Sequence, residues 1–279
     1  QVLMLFFLRS WLVLSSLAQA AWGGTNSKKP HPVDSAKVYV INQDTSVERW
    51  ARVQEAADKA GEVVTRFSAV TREDVDSGLY NSYVLSRGMV PVLKKLDRRM
   101  LGLTNRTIAI YMSHVRLLEK LEQELRPDEC AVILEDDTKV QPGWREQLKR
   151  FMQHVPKDWV MLRLNAWGRQ RPEDRVNNLW VRPKWPFQAG HKLFFYTGTG
   201  AQMVRGSHIT LLLHYLAIQG VADVDSRLMW TGLAPIYVLR TPQQQQLFPI
   251  DKEMAQRSER LDRDKVRSED GGGSGTYGE

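Results

Sequence analysis

Eight residues constrain this chain more than any others: Cys130-Ala131-Val132-Ile133-Leu134-Glu135-Asp136-Asp137. A short, continuous apolar run bounded by polar residues reads as a strand buried on both faces. This one runs straight into three carboxylates, at the end of the strand where open α/β sheets place their ligands. Neighbouring carboxylates repel one another, and magnesium and manganese favour carboxylate oxygens. The octet therefore points to a hard-metal site at the C-terminal end of a central strand. The alternative is a solvated acidic turn after a core strand.

Strand and helix patterns alternate around the octet. Lys37-Val38-Tyr39-Val40-Ile41-Asn42 is a β-rich run. Val47, Trp50, Val53 and Ala57 then recur at near-helical spacing, with Gly61 placed to stop the helix. Residues 63–70 read as the next strand, and a strand–helix–strand opening predicts a parallel, doubly wound sheet. Residues 71–103 keep no period and are expected to form loops over a site or acceptor surface. Ile108, Met112, Val115, Leu118, Leu121 and Leu125 hold a 3.6-residue period, which predicts an amphipathic helix over 107–125. A further helical stripe follows Trp144, and residues 159–164 form a strand. Residues 165–186 are irregular and rich in tryptophan. Residues 193–196 read as a strand, Thr197-Gly198-Thr199-Gly200 as a tight turn, 207–218 as a helix and 235–239 as the last strand.

The domain plan follows. Residues 1–20 are expected to be a secretory signal peptide: the apolar stretch from Val2 to Leu17, interrupted by Arg9, ends at the small-x-small site Ala18-Gln19-Ala20. Only if that segment is retained is a membrane a partner. Residues 21–36 read as a linker, 37–250 as one α/β domain, and 251–279 as a charged tail with a flexible Gly-rich end. The 279 residues, 42% of them hydrophobic, suffice for a sizeable core. One cysteine, Cys130, excludes an internal disulfide, and no Cys/His cluster suits zinc. The net charge of +7 and pI near 9.5 invite a nucleic-acid reading, but no basic helix or basic-aromatic repeat accompanies them. Nucleotide diphosphates account for the excess equally well, and no nucleic-acid partner is expected. Residues 163–192 concentrate seven Lys and Arg, fit to hold phosphates, an anionic acceptor, or simply water.

Four segments, spread from Val38 to Val238, together resemble glycosyltransferase family 25, the lipooligosaccharide-biosynthesis and procollagen galactosyltransferase-like enzymes. The first is Tyr39-Val40-Ile41-Asn42-Gln43-Asp44 with Arg49 after it, where the family has a similar Tyr-Val-Ile-Asn-Leu-Asp opening. The second ends at Ser113-His114, where the family is similar to Glu-x-Gly-Cys-x-x-Ser-His; here Thr107, Ala109 and Ile110 replace the Glu, Gly and Cys. The third, Ile133-Leu134-Glu135-Asp136-Asp137, matches the family's acidic motif throughout. The fourth is Thr197-Gly198-Thr199-Gly200-Ala201, with Asp225-Ser226-Arg227-Leu228 downstream.

The resemblance implies a GT-A-like α/β fold, a Rossmann-type, mostly parallel sheet flanked by helices. It implies that Asn42, Asp44 and Arg49 cradle the nucleotide of a donor that Ser113, His114, Glu135, Asp136, Gly198 and Gly200 also contact. Glu135 and Asp137 are the expected metal pair around Mn2+ (or Mg2+), and Asp225, with Asp223 second, the expected catalytic base. The implied reaction is an inverting, metal-dependent transfer of a hexose, by analogy galactose, from a UDP-sugar to a hydroxyl of a glycan or glycoprotein acceptor. The expected signal peptide, rather than the resemblance, predicts the secretory pathway as the setting, in the lumen of the endoplasmic reticulum or Golgi, or outside the cell after secretion. Two plainer roles stay open: Asp44 as a helix cap, and His114 as a structural hydrogen-bonder. So does a catalytically degenerate carbohydrate-binding protein of the same fold, because of the replacements in the second segment. A glycosidase is disfavoured, since its paired acids face each other across the scissile bond and these are adjacent on one strand end. Asn105-Arg106-Thr107 is a glycosylation sequon, or Asn105 is a helix cap.

Overall fold

The computed structural model describes residues 30–78, 104–167, 170–183, 196–219, 234–251 and 253. The expected signal peptide, most of the loops over 71–103, the strand over 193–195, the candidate bases Asp223 and Asp225 and nearly all of the charged tail lie outside the described residues.

Seven strands form one sheet in the order β2-β1-β3-β6-β4-β7-β5. They are β1 (Lys37–Asn42), β2 (Val64–Ser68), β3 (Cys130–Glu135), β4 (Met161–Trp167), β5 (Trp180–Val181), β6 (Thr197–Arg205) and β7 (Ile236–Leu239). The pairs β1–β2, β1–β3 and β4–β7 are parallel, while β6 runs antiparallel to both β3 and β4, and β5 antiparallel to β7. Five strands thus share one direction and two oppose it. This is the mostly parallel, GT-A-like α/β arrangement expected. The described helices are α1 (Val47–Lys59), α2 (Arg72–Asp76), α3 (Asn105–Glu124), α4 (Trp144–Met152), α5 (Ile209–Gln219) and α6 (Thr241–Leu247).

The octet behaves as its pattern predicts. Every residue from Cys130 to Leu134 is fully buried, because helices cover both faces of β3. Ala131 and Ile133 pack with Tyr39, Ile41 and the apolar stripes of α3 and α5. Cys130, Val132 and Leu134 pack with Val38, Val40, Val53 of α1, Trp144 and Leu148 of α4, and Leu247 of α6. Burying each of Val132, Ile133 and Leu134 contributes about 1.5–3 kcal/mol relative to exposure. Trp144, Trp159 and Trp180 are core residues as well, so these three tryptophans serve packing. Packing also begins ahead of β1: Val33 and Ala36 are buried, and Arg145 of α4 donates to the carbonyls of Val33, Asp34 and Ala36 while pairing with Glu62.

Three local readings need correction. Thr197–Gly200 is not a tight turn but the start of β6, whose continuation Ala201–Arg205 is held between β3 and β4; two flanking ladders override the turn preference of the glycines. The irregular stretch after residue 165 holds the short strand β5, and Arg240 leads into α6, a Gln-rich helix with no apolar period. Asn105 is not the cap of α3; the Thr104 hydroxyl accepts from the Thr107 amide at 3.1 Å, and the Asn105 amide donates to Asp76.

α1 ends as its Gly61 predicts. Gly61 takes φ +64°, its amide bonds to the Asp58 carbonyl at 3.0 Å and the Glu62 amide to that of Ala57 at 2.9 Å, the two bonds of a Schellman motif. Gly206, after β6, is constrained by space instead: a Cβ there falls 2.1 Å from the Arg126 carbonyl oxygen, whereas a Cβ at Gly61 meets nothing within 4 Å. Gly206→Ala is therefore expected to destabilise by about 3 kcal/mol or more, because backbone must move, and Gly61→Ala by about 1–2 kcal/mol through its left-handed backbone alone. Urea midpoints of the two variants against wild type measure the difference; a larger loss in Gly61→Ala would contradict this packing.

Candidate active site

Parallel pairing of β1 and β3, with Ile41 opposite Glu135, sets the ends of the two strands side by side. Asn42, 1% exposed, donates through Nδ2 to Asp136 Oδ2 at 2.7 Å. Arg49, one turn into α1, forms an ion pair with the other oxygen of Asp136. Asp44, largely exposed, accepts from the Ser68 hydroxyl and lies 3.5 Å from Arg66. It does not cap α1, whose N-cap position is Ser46; it joins the ends of β1 and β2.

Glu135 Oε1 faces His114 Nε2 of α3 at 3.3 Å and accepts from the Thr199 hydroxyl of β6. With 29% of its side chain exposed, it remains open to a ligand. The Asp137 side chain meets the Thr138 hydroxyl at 3.4 Å, and the Asp137 carbonyl accepts from the Asp251 amide at 2.6 Å. The Asp251 carboxylate in turn pairs with Lys139 at 2.9 Å.

Three adjacent acids thus sit in three different environments. For Glu135, burial opposes ionisation, but the bonds from His114 and Thr199 and the charge of Arg49 outweigh it, and its pKa lies below the ordinary range. For Asp136, burial raises the pKa, and Arg49 and Asn42 offset only part of the rise. Asp137 is pushed up to about 7, first by burial and then by the charge of Glu135.

The family model of glycosyltransferase family 25 (LPS biosynthesis protein) matches residues 35–181, from just ahead of β1 to β5. The chain belongs to glycosyltransferase family 25. Among solved structures, this family-25 chain is similar to a glycosyltransferase involved in the glycosylation of the major capsid of PBCV-1. Identity there is 9%, over 81% of this chain and 98% of that one, with a TM-score of 0.44. It is also similar to mouse xyloside xylosyltransferase 1 in its apo form, at 14% identity over 71% of this chain and 80% of that one, with a TM-score of 0.34. No match was found among curated proteins.

Within the family-25 chain, the structure brings together Asn42, Arg49, His114, Glu135, Asp136 and Asp137. Ser113 is turned elsewhere: its hydroxyl accepts from the Val70 amide and donates to the Ala109 carbonyl, both at 2.8 Å, so it fastens α3 to the end of β2. Gly198 has φ +84°, and its carbonyl accepts from the fully buried Arg163. Gly200 lies in close approach to its neighbours: a Cβ there would sit 3.0 Å from Thr138 Oγ1 and 3.5 Å from the Asn165 side chain. Both glycines lie in β6, which also presents Thr199 to Glu135. Thr199 was not anticipated as a site residue. Its one sequence signal is its place between the two glycines of Thr197-Gly198-Thr199-Gly200.

The residues present fit a divalent cation at one place. Asp136 is answered by Arg49 and Asn42, and Glu135 Oε1 by His114 and Thr199, while Asp137 is a half-buried hard oxygen donor whose charge is disfavoured by desolvation and by Glu135. Among the described residues, no three His, Cys, Asp or Glu side chains gather as metal ligands; a cation at Asp137 would take its further ligands from substrate or water.

The raised Asp137 carries a pH signature. In the metal-free chain the folded state keeps a proton that the unfolded state, near the ordinary value of 3.8, has released. This contribution to stability is fully present below that value and is lost as pH rises through about 7. Asp137→Asn removes the titration. In chelator, that variant should melt above wild type at pH 8, with the gap closing towards pH 4; a gap independent of pH would contradict the environment described for Asp137.

Proposed function

We propose that this chain is an inverting, metal-dependent hexosyltransferase that moves galactose from UDP-galactose to a hydroxyl of a glycan or glycoprotein acceptor. The observation that supports this reading is the state of Asp137. It is a half-buried carboxylate raised to about 7, beside an Asp136 already paired with Arg49, at the strand ends of a family-25 sheet. Asp137 would hold a divalent cation, Mn2+ or Mg2+, which would supply charge neutralisation for a departing diphosphate.

The chain's own residues do the rest. Asn42 and Arg49 fix Asp136, so that its charge does not compete for the cation. His114 and Thr199 hold Glu135 ionised and oriented toward the ribose or a bound water. Gly200 lets the backbone of β6 pack close against Thr138 and Asn165, so that Thr199 beside it reaches Glu135. In the transfer, the acceptor oxygen forms a bond to the anomeric carbon as the bond from that carbon to the diphosphate oxygen breaks. Asp225, with Asp223 as the second candidate, takes the proton of the acceptor hydroxyl. The apolar stretch over residues 2–17 supports action in the lumen of the secretory pathway.

A panel of UDP-sugars, followed by UDP release with and without Mn2+, tests the reading. Wild type should turn over UDP-galactose only with the metal. Asp137→Asn should lose turnover by about 100-fold or more, together with the rise in melting temperature that Mn2+ and UDP give wild type. Asp225→Asn should lose turnover by about 100- to 10,000-fold while keeping UDP affinity. Wild-type turnover in Asp137→Asn would exclude the metal role.

A further inference from the structure

Arg66 belongs to none of the segments that define the site, yet it touches the part of Asn42 that decides what Asn42 can do. It lies in the middle of β2, the edge strand, opposite Val40. Its Nε donates to Asn42 Oδ1 at 2.8 Å and its NH2 to the Gln43 carbonyl at 3.0 Å. Its guanidinium lies 5.6 Å from the centre of the Trp50 ring and 3.5 Å from Asp44. Trp50 is the neighbour of Arg49 in α1, so one helical turn supports Arg66 and grips Asp136.

The Asn42 amide has two unlike ends. Its nitrogen donates to Asp136 at 2.7 Å and to the Ser46 carbonyl at 3.3 Å, and its oxygen faces Arg66. A terminal amide torsion is broad and roughly two-fold, and the opposite orientation would set the oxygen against the Asp136 carboxylate and the NH2 against the guanidinium. We propose that Arg66 is a positioning residue of the donor site: by holding the Asn42 carbonyl oxygen it keeps the amide N–H on Asp136, and so keeps the middle carboxylate of the acidic motif fixed against Arg49 and out of competition for the cation that the nucleotide diphosphate needs. This inference rests on the donor-site reading above. It assigns no contact between Arg66 and the donor.

A double-mutant cycle separates the two. UDP affinity is measured by calorimetry with Mn2+ for wild type, Arg66→Met, Asn42→Ala and the double variant. β2 is an edge strand and Arg66 is partly exposed, so Arg66→Met should keep the wild-type melting temperature; if it does not, Arg66→Lys, which keeps the charge but not the planar fork, takes its place. Arg66→Met should weaken UDP binding by about tenfold, the scale of one lost hydrogen bond in a charged network. The double variant should bind no more weakly than Asn42→Ala alone, since an effect carried through Asn42 vanishes with it. If Asn42→Ala weakens binding and Arg66→Met does not, the positioning role is overturned while the donor site stands. Additive losses overturn it too, because Arg66 then acts without Asn42. Unchanged binding in Asn42→Ala, or no binding of UDP by wild type, removes the donor-site reading and this inference with it.

Discussion

The parallel register of β1 with β3 is the constraint from which the site follows. It brings Asn42 and Asp136, 94 residues apart, to within one hydrogen bond, and no local signal could place them there. That register is secured by burial on both faces of β3, where a slip of one residue would exchange the two apolar clusters and strand every side chain on the wrong face. The core thus fixes the chemistry. The fully buried run from Cys130 to Leu134 leaves the three acids that follow it no freedom to choose another edge.

The acids then differ because their neighbours come from different elements. Arg49 arrives from α1, His114 from α3 and Thr199 from β6. A triplet of equal charges would repel itself apart or demand one strong counter-charge. Here the repulsion is divided. One acid is paired with a guanidinium, one is hydrogen-bonded into an ionised state, and one is left where charge is costly. Such a spread of proton affinities over adjacent groups is what separates roles in a site.

The sequence disclosed the parts governed by periodicity. The stripe from Ile108 to Leu121 became α3, the apolar octet became β3, and Gly61 closed α1. It also located the acidic motif, because a strand end is a local feature. It misjudged Thr197–Gly200, whose strand state depends on β4 beside Thr197 and on the continuation Ala201–Arg205 between β3 and β4, and it had no sign of α6, a helix of four glutamines held by a buried Gln244 that reaches the Leu239 carbonyl and the Ala166 amide. Ser113 and His114 show the same limit at finer grain. They are adjacent in the chain and matched the same motif, yet one secures a helix and the other faces the acid, because successive positions on a helix point about 100° apart.

Cys130 opens the octet, fully buried in the middle of the sheet, and desolvation pushes its thiol up to about 11. At neutral pH almost none of it is thiolate, the form that attacks disulfides or is oxidised. The redox state of the surroundings therefore has no handle on this thiol, and the strand that carries the acids is built without any covalent cross-link at its cysteine.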